Sequence, residues 1–191
     1  MNTAKNNAWS RFWDERGKSH PDEDPIAIDG WDYGISMMGE KQADILCKQA
    51  ANALSLTPES RFLEVGCGAG MFLLPLSEKV SISMGCDMAE SMLKRAHRIN
   101  DKLEMQVAEA NCLPYQSNTF DAILVYSVFH YFPSLEYATH VLGELYRVCR
   151  DRGRIWIGDV PDKTKKERAF SHRKQAMKES VRNGHGLMLE N

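Results

Sequence analysis

The sequence has few of the features that mark secreted, membrane-spanning or metal-binding proteins. Its five cysteines form no C-x-x-C pair and no other spacing typical of a zinc site, so we expect no metal site and free, buried thiols in a reducing compartment. The N-terminal residues are polar and lack the apolar segment of a signal peptide. No apolar stretch is long enough to span a bilayer. A formal net charge of −2 gives no overall field that attracts nucleic acid or an anionic membrane. These absences predict a cytoplasmic protein with no membrane partner, and they disfavour a nucleic-acid partner.

What the sequence does contain is enough apolar material for one domain. Hydrophobic residues make up 43% and charged residues 26% of the 191 positions, as in average globular domains. We divide the chain into an N-terminal extension (1–40), a main domain (41–160) and a basic C-terminal segment (161–191) predicted to be helical. Eight Lys or Arg and two Glu lie between residues 163 and 182. That segment fits either a solvated helix or a patch for an anionic substrate.

Apolar runs and helical spacings alternate through the main domain. We predict strands at 61–65, 80–86, 103–107, 120–126 and 154–159, and helices at 40–54, 71–78, 89–99 and 135–150. Such alternation predicts an α/β fold, a Rossmann-like doubly wound parallel sheet with helices on both faces. Ligands of these folds bind at the carboxyl ends of the strands, where the strand order reverses. The candidate site is therefore sought in the loops that follow the strands.

The loop after the first strand reads Glu64-Val65-Gly66-Cys67-Gly68-Ala69-Gly70. Glycines here let the backbone turn sharply out of a strand and approach a ligand closely. A dinucleotide-binding fingerprint needs a third glycine where this chain has Met71, which disfavours a nicotinamide-dependent dehydrogenase. No Gly-Lys-Ser or Gly-Lys-Thr follows, so the loop is not a Walker motif.

The second strand ends at another acid, Asp87, which lies 17 residues after Gly70. A carboxylate at this place can accept hydrogen bonds from both hydroxyls of a ribose. It can also cap the helix that follows, and the two roles are compatible.

Two later segments complete a resemblance to a known family. One is Ala108-Glu109-Ala110-Asn111-Cys112-Leu113-Pro114-Tyr115, followed by Phe120-Asp121, and the other is Tyr126-Ser127-Val128-Phe129-His130-Tyr131. With the glycine loop and Asp87, they resemble in order the motifs of class I S-adenosylmethionine-dependent methyltransferases. The resemblance covers about residues 40–160. It implies methyl transfer, with S-adenosylmethionine as cofactor and S-adenosylhomocysteine as product.

The resemblance also implies a role for each motif. The glycine loop surrounds the amino-acid part of the cofactor, and Glu64 orients the loop and the ammonium group. Asp87 binds the ribose, and Glu109, where relatives commonly have Asp, contacts the adenine. Met88 either packs beside the adenine or belongs to the core. The residues implied in cofactor binding are Glu64, Gly66, Cys67, Gly68, Gly70, Asp87, Met88, Glu109, Ala110, Tyr126 and Ser127.

His130 is our candidate for a catalytic group. Its ordinary pKa lies near neutral pH, so it could act as general base for a hydroxyl acceptor; otherwise it is a structural histidine among aromatic residues. Residues 129–133 and 157–163 also resemble small methyltransferases of bacterial polysaccharide and natural-product clusters. We therefore expect methyl transfer to an oxygen of a small polar molecule, such as a sugar or a natural-product intermediate. An RNA methyltransferase and a non-catalytic, cofactor-binding partner subunit remain alternatives.

The sequence departs from the family in the number of predicted strands. The family sheet has seven strands, and the last two are missing from the predicted set, which would expose the fifth strand as an edge. A truncated chain, a homodimer that covers this edge, or a divergent non-catalytic protein would each explain this. In the N-terminal extension, Trp9, Phe12 and Trp13 could share one face of a short helix, and residues 19–34 are predicted to be loop. The extension is expected to lie over the cofactor as a lid, with Trp13, Trp31 or Tyr33 in contact.

Overall fold

A computed structural model describes residues 3–19, 25–31 and 40–160, together with Asp162 and Thr164. The helices are α1 (Thr3–Ser19), α2 (Glu40–Leu54), α3 (Leu73–Ser77), α4 (Glu90–Ile99) and α5 (Leu135–Val148). The strands are β1 (Arg61–Val65), β2 (Ile82–Asp87), β3 (Glu104–Val107), β4 (Phe120–Tyr126) and β5 (Cys149–Gly158). A π-helical turn spans Ala27–Trp31 and a 3-10 turn spans Phe129–Tyr131. None of the helices in these ranges is long and apolar enough to cross a membrane.

The five strands form one parallel sheet in the order β3-β2-β1-β4-β5. The order reverses between β1 and β4, which pair directly at Leu63 and Ile123. This confirms the predicted Rossmann-like α/β fold and places the switch point where the glycine loop leaves β1. Within the described ranges β5 lies at one edge of the sheet.

Alternation along the central strands builds a core on each face of the sheet. Phe62 and Leu124 point to the face covered by α2, α3 and α4, whereas Leu63 and Ile123 point to the face covered by α5. All four side chains are fully buried. Successive strand residues face opposite sides, so a sheet covered on both faces needs the continuous apolar runs seen in β1 and β4.

Several boundaries differ from those predicted. β5 begins at Cys149, directly after α5, rather than at residue 154, and its pairing with β4 is irregular between Phe120 and Ala122. A π-helical turn occupies 27–31, where the sequence predicts loop. Cys112 is exposed, although the other four cysteines are buried as expected. The basic C-terminal segment predicted at 161–191 lies outside the described residues, except for Asp162 and Thr164.

Candidate functional site

The glycine loop of residues 66–70 follows β1 and depends on glycine for its shape. Gly66, Gly68 and Gly70 have φ angles of +76°, +51° and +96°, in the left-handed region that side chains disfavour. Space excludes side chains as well. A Cβ on Gly66 would overlap Val128, and one on Gly68 would overlap the carboxylate of Asp29.

Backbone carbonyls accept three of the six backbone N–H groups of residues 66–71. The N–H groups of Gly66 and Cys67 both donate to the carbonyl of Cys86, at 2.7 and 3.1 Å. Gly70 N–H donates to the Cys67 carbonyl at 2.9 Å. These bonds fix the loop against the end of β2.

Two carboxylates accept the other three N–H groups of residues 66–71. Gly68 N–H donates to Asp87 Oδ2 at 3.0 Å. Ala69 N–H donates to Asp29 Oδ1 at 2.7 Å and Met71 N–H to Asp29 Oδ2 at 3.1 Å. Each N–H between residues 66 and 71 therefore already has an acceptor within the protein.

A third carboxylate, that of Glu64, lies at the end of β1. Glu64 is 3% exposed, and its Oε2 has no hydrogen-bond partner among the described residues. Burial raises the pKa of Glu64 well above its usual value, and the charges of Asp29 and Asp87 raise it further. Burial also raises the pKa of Asp87, and burial with the nearby Asp87 charge raises the pKa of Asp29 to about 7.

This arrangement decides which ligand charge the loop favours. Loops that bind phosphate present free N–H groups at a helix N-terminus. Here the donors of residues 66–71 are occupied, and three carboxylates surround them. The loop therefore disfavours a pyrophosphate and favours a cation. In the described part of the chain, no group of His, Cys, Asp and Glu side chains could hold a metal ion.

A pocket opens above the loop at the carboxyl ends of the strands. It holds about 970 Å³ of space free of protein atoms, part of it open to solvent. The predicted cofactor-binding residues that line it are Glu64, Gly66, Cys67, Gly68, Asp87, Met88, Ala110, Tyr126 and Ser127.

Three predicted site residues do not line this pocket. A Cβ on Gly70 would face Leu74 at 3.1 Å, so Gly70 shapes the loop from the opposite side. Glu109 is exposed, and its Oε2 accepts a hydrogen bond at 3.3 Å from Tyr137, which does line the pocket. His130 is exposed, with its ring centroid 3.9 Å from that of Tyr131.

Aromatic side chains form the wall and roof of the pocket. Trp9 and Trp13 of α1 pack on Tyr131, with centroid distances of 4.8 and 5.9 Å. Trp13 also hydrogen-bonds the Tyr131 hydroxyl, and burial raises the pKa of Tyr131 to about 12. Phe132 and Tyr137 continue the wall. The predicted lid residue Trp13 thus lines the site, whereas Tyr33 and the side chain of Trp31 lie outside the described residues.

α1 is held over the pocket by its contacts with the start of α4. Asp14 Oδ1 accepts the Ser91 N–H at 2.9 Å, and Ser91 Oγ donates to the Asp14 carbonyl at 2.7 Å. A carboxylate at a helix N-terminus is stabilised by the helix dipole. Gly17 packs so closely on Ser91 that a Cβ there would overlap it.

Comparison with known proteins identifies the domain. The family model of a methyltransferase domain matches residues 63–157, a range that holds the glycine loop and strands β2 to β4. The chain belongs to the class I S-adenosylmethionine-dependent methyltransferases.

Two curated methyltransferases and one solved structure show how far the similarity extends. The chain is 27% identical to the 27-O-demethylrifamycin SV methyltransferase of Amycolatopsis mediterranei, over 68% of this chain and 48% of that protein. It is 32% identical to the demethylmenaquinone methyltransferase of Thermus thermophilus, over 62% of this chain and 56% of that protein. The chain thus spans about half the length of these relatives.

The solved structure is a phosphoethanolamine N-methyltransferase of Haemonchus contortus, in complex with phosphoethanolamine and S-adenosylhomocysteine. The TM-score is 0.68 at 17% identity, covering 82% of this chain and 32% of that one. At this identity the match shows that the methyltransferase fold is shared.

The motifs of this methyltransferase domain did not reveal all of its pocket. Asp29, Trp9, Phe72 and Tyr131 line it without having been predicted. Asp29 lies in a segment predicted as loop, and no local pattern marks it. Trp9 was predicted on a helix face, and the concentration of aromatic residues in the N-terminal extension was the available signal for the roof.

Proposed function

We propose that this chain catalyses methyl transfer from S-adenosylmethionine to an oxygen of a small molecule. The choice of S-adenosylmethionine as cofactor rests on one observation, the glycine loop. All the N–H donors of this loop are occupied, and three carboxylates surround it. S-adenosylmethionine carries a sulfonium, an ammonium group and one carboxylate, so its net charge is positive, and it has no phosphate. Its charge therefore matches this loop, while that of a dinucleotide does not.

The residues present fit the separate parts of that cofactor. The buried Oε2 of Glu64, which has no partner among the described residues, would accept from the ammonium group. Each oxygen of Asp87 already accepts one N–H, from Gly68 at 3.0 Å and from Ala89 at 2.8 Å, and keeps a second lone pair for a ribose hydroxyl. Met88 and Ala110 line the pocket where the resemblance predicts the adenine.

The chain contributes chiefly positioning and shielding. S-adenosylmethionine, when bound, supplies a methyl group already activated on sulfur, so in-line alignment of the acceptor provides much of the rate. Trp9 and Trp13 cover the pocket and keep water away from the acceptor. Tyr131 keeps its proton at neutral pH, because its pKa is raised to about 12, so it can donate a hydrogen bond but does not act as base.

The walls of the pocket support a small acceptor. Val128, Tyr131, Phe132 and Tyr137 give it an apolar and aromatic side that fits a ring-bearing or otherwise largely uncharged molecule. One curated relative is by name a 27-O-demethylrifamycin SV methyltransferase, which favours oxygen as the acceptor atom. These two observations support a natural-product intermediate over a highly charged polymer.

His130 remains our candidate base, for an acceptor whose hydroxyl is weakly acidic. Because its ring lies on Tyr131 and outside the pocket lining, a base role requires it to turn toward a bound acceptor. His130→Ala should lower kcat for an alcohol by about 100-fold, the lower end of general-base contributions, and should spare a phenol that ionises by itself. Equal rates with both acceptors would return His130 to a structural role.

The test of the proposed function is transfer of a labelled methyl group. The purified chain is incubated with S-adenosylmethionine labelled on that methyl and with separate panels of sugars, phenolic and polyketide-like alcohols, amines and tRNA. Labelled ether formed from a hydroxyl compound supports the proposal. Label on tRNA alone would support the RNA alternative, and cofactor binding without transfer to any acceptor would support the partner-subunit alternative.

A further inference from the structure

Asp29 lies in the turn Ala27–Trp31, outside the range 63–157 matched by the family model. Its carboxylate nevertheless holds two of the N–H groups of the glycine-loop region and lines the pocket. We infer that Asp29 is a cofactor-binding residue, which recognises the ammonium group on the amino-acid part of S-adenosylmethionine. This inference rests on the proposed function.

The turn that carries Asp29 is anchored by contacts of its neighbours. Arg16 of α1 donates from Nε to the Ile28 carbonyl and from Nη2 to the Ala27 carbonyl, both at 2.8 Å. The Ile28 side chain is fully buried in a cluster with Ala69 and Met92. The carboxylate is therefore held in place by the packing of the turn as well as by its own hydrogen bonds.

Support of the loop does not by itself explain why a third carboxylate lies at this site. Asp29 Oδ1 and Oδ2 each accept one N–H, which leaves each oxygen a lone pair for a ligand. Asp29 shares the site with the carboxylates of Asp87 and Glu64. Like charges gathered in a buried site destabilise one another, and protonation or a bound cation relieves this. The pKa of Asp29 is raised to about 7 and that of Glu64 is raised as well, so a bound ammonium group would stabilise the ionised carboxylates, which a structural cap does not need.

Two adenosyl ligands separate recognition of the ammonium from support of the loop. S-adenosylhomocysteine carries the ammonium-bearing amino-acid part, and 5′-methylthioadenosine has the same adenine and ribose without it. If Asp29 binds the ammonium, removing its charge should weaken the first ligand much more than the second. If Asp29 supports only the loop, both ligands should be affected alike.

The experiment is calorimetric titration of four proteins with both ligands at about pH 8, above the raised pKa of Asp29. Asp29→Asn should weaken S-adenosylhomocysteine at least about tenfold more than it weakens 5′-methylthioadenosine, as for loss of a charge-assisted hydrogen bond. A smaller loss shared by both ligands is expected, because the amide removes one of the two acceptors for the loop N–H groups. Asp87→Asn should weaken both ligands. The matched control is Glu15→Gln, the same change of charge at an exposed position of α1, and it should bind both ligands as the wild type does.

Each remaining outcome bears on one claim. Equal weakening of both ligands by Asp29→Asn, or no weakening of either, would overturn the inference. A folded wild-type chain that binds neither ligand would overturn the proposed function instead.

If Asp29→Asn does not fold, the wild type alone decides. The charges that face Asp29 are those of Asp87, Glu64 and Arg16. The affinity for S-adenosylhomocysteine, relative to that for 5′-methylthioadenosine, should rise between about pH 6 and about pH 8 as the carboxylates ionise. A ratio that stays constant with pH would overturn the inference.

Discussion

Replacing Gly68 with alanine tests whether the glycine loop and the N-terminal turn form one unit. Gly68 has a φ of +51°, and a Cβ there would overlap the Oδ1 of Asp29. The left-handed conformation costs an alanine about 1–2 kcal/mol. The overlap adds about 1–3 kcal/mol, because the carboxylate cannot retreat without losing its bonds to Ala69 and Met71. We expect Gly68→Ala to lower the free energy of unfolding by about 2–5 kcal/mol.

The chain offers a matched control for this substitution. Gly143 lies exposed in α5, with nothing within 4 Å of an added Cβ. Alanine is about 0.8–1.0 kcal/mol better than glycine inside a helix, so Gly143→Ala should stabilise the protein. The same chemical change is therefore expected to have opposite signs at the two positions.

The assay is urea unfolding followed by circular dichroism, with the midpoint and slope fitted together. In an Asp29→Ala background the overlap is gone, so Gly68→Ala should cost only the backbone strain of about 1–2 kcal/mol. A Gly68→Ala protein as stable as the wild type would refute the reasoning about backbone strain. The same loss in both backgrounds would refute the contact with Asp29.

Three further predictions follow from the site. Asp87→Ala should weaken S-adenosylhomocysteine binding by about 1–3 kcal/mol in calorimetry, and unchanged affinity would remove Asp87 from the ribose site. The Asp29 carboxyl has a pKa raised from 3.8 to about 7 in the folded protein, so the unfolded chain binds fewer protons between these values. The free energy of unfolding should therefore fall as pH rises from about 4 to about 7. Asp29→Asn should make this pH dependence, measured by denaturant titration, less steep. An unaltered pH dependence would show that other groups cause the fall. Arg147 donates to the Leu113 and Tyr115 carbonyls at 3.0 and 2.7 Å. Arg147→Met should therefore lower the free energy of unfolding by about 1–3 kcal/mol, measured in urea. An unchanged midpoint would show that these bonds do not hold residues 113–115 in place.

The elements that could be predicted from the sequence are those whose signal is local. β1, β4 and α2 have the predicted bounds, because continuous apolar runs and helical spacing are properties of neighbouring residues. The early start of β5 has no such signal. Cys149 and the polar residues after it are extended because Cys149 pairs with Phe120, far away in the sequence.

The residues of the site also divide into those with a local signal in the sequence and those without one. The glycine loop and Asp87 could be predicted, because their roles follow from short spacings after a strand. The directions of Glu109 and His130 could not, because tertiary packing decides where an exposed side chain points. Asp29 was missed since it reaches the loop from about 40 residues away, and a contact at that distance leaves no pattern in the sequence between.

The central claim is that the loop takes an adenosyl ligand that carries an ammonium group and no phosphate, and rejects an anionic dinucleotide. The most direct test is calorimetric titration of the purified chain with S-adenosylhomocysteine and, separately, with NAD. Micromolar binding of the first with no binding of NAD is the predicted result. Binding of NAD as tight as that of S-adenosylhomocysteine, or a folded protein that binds neither, would contradict the account.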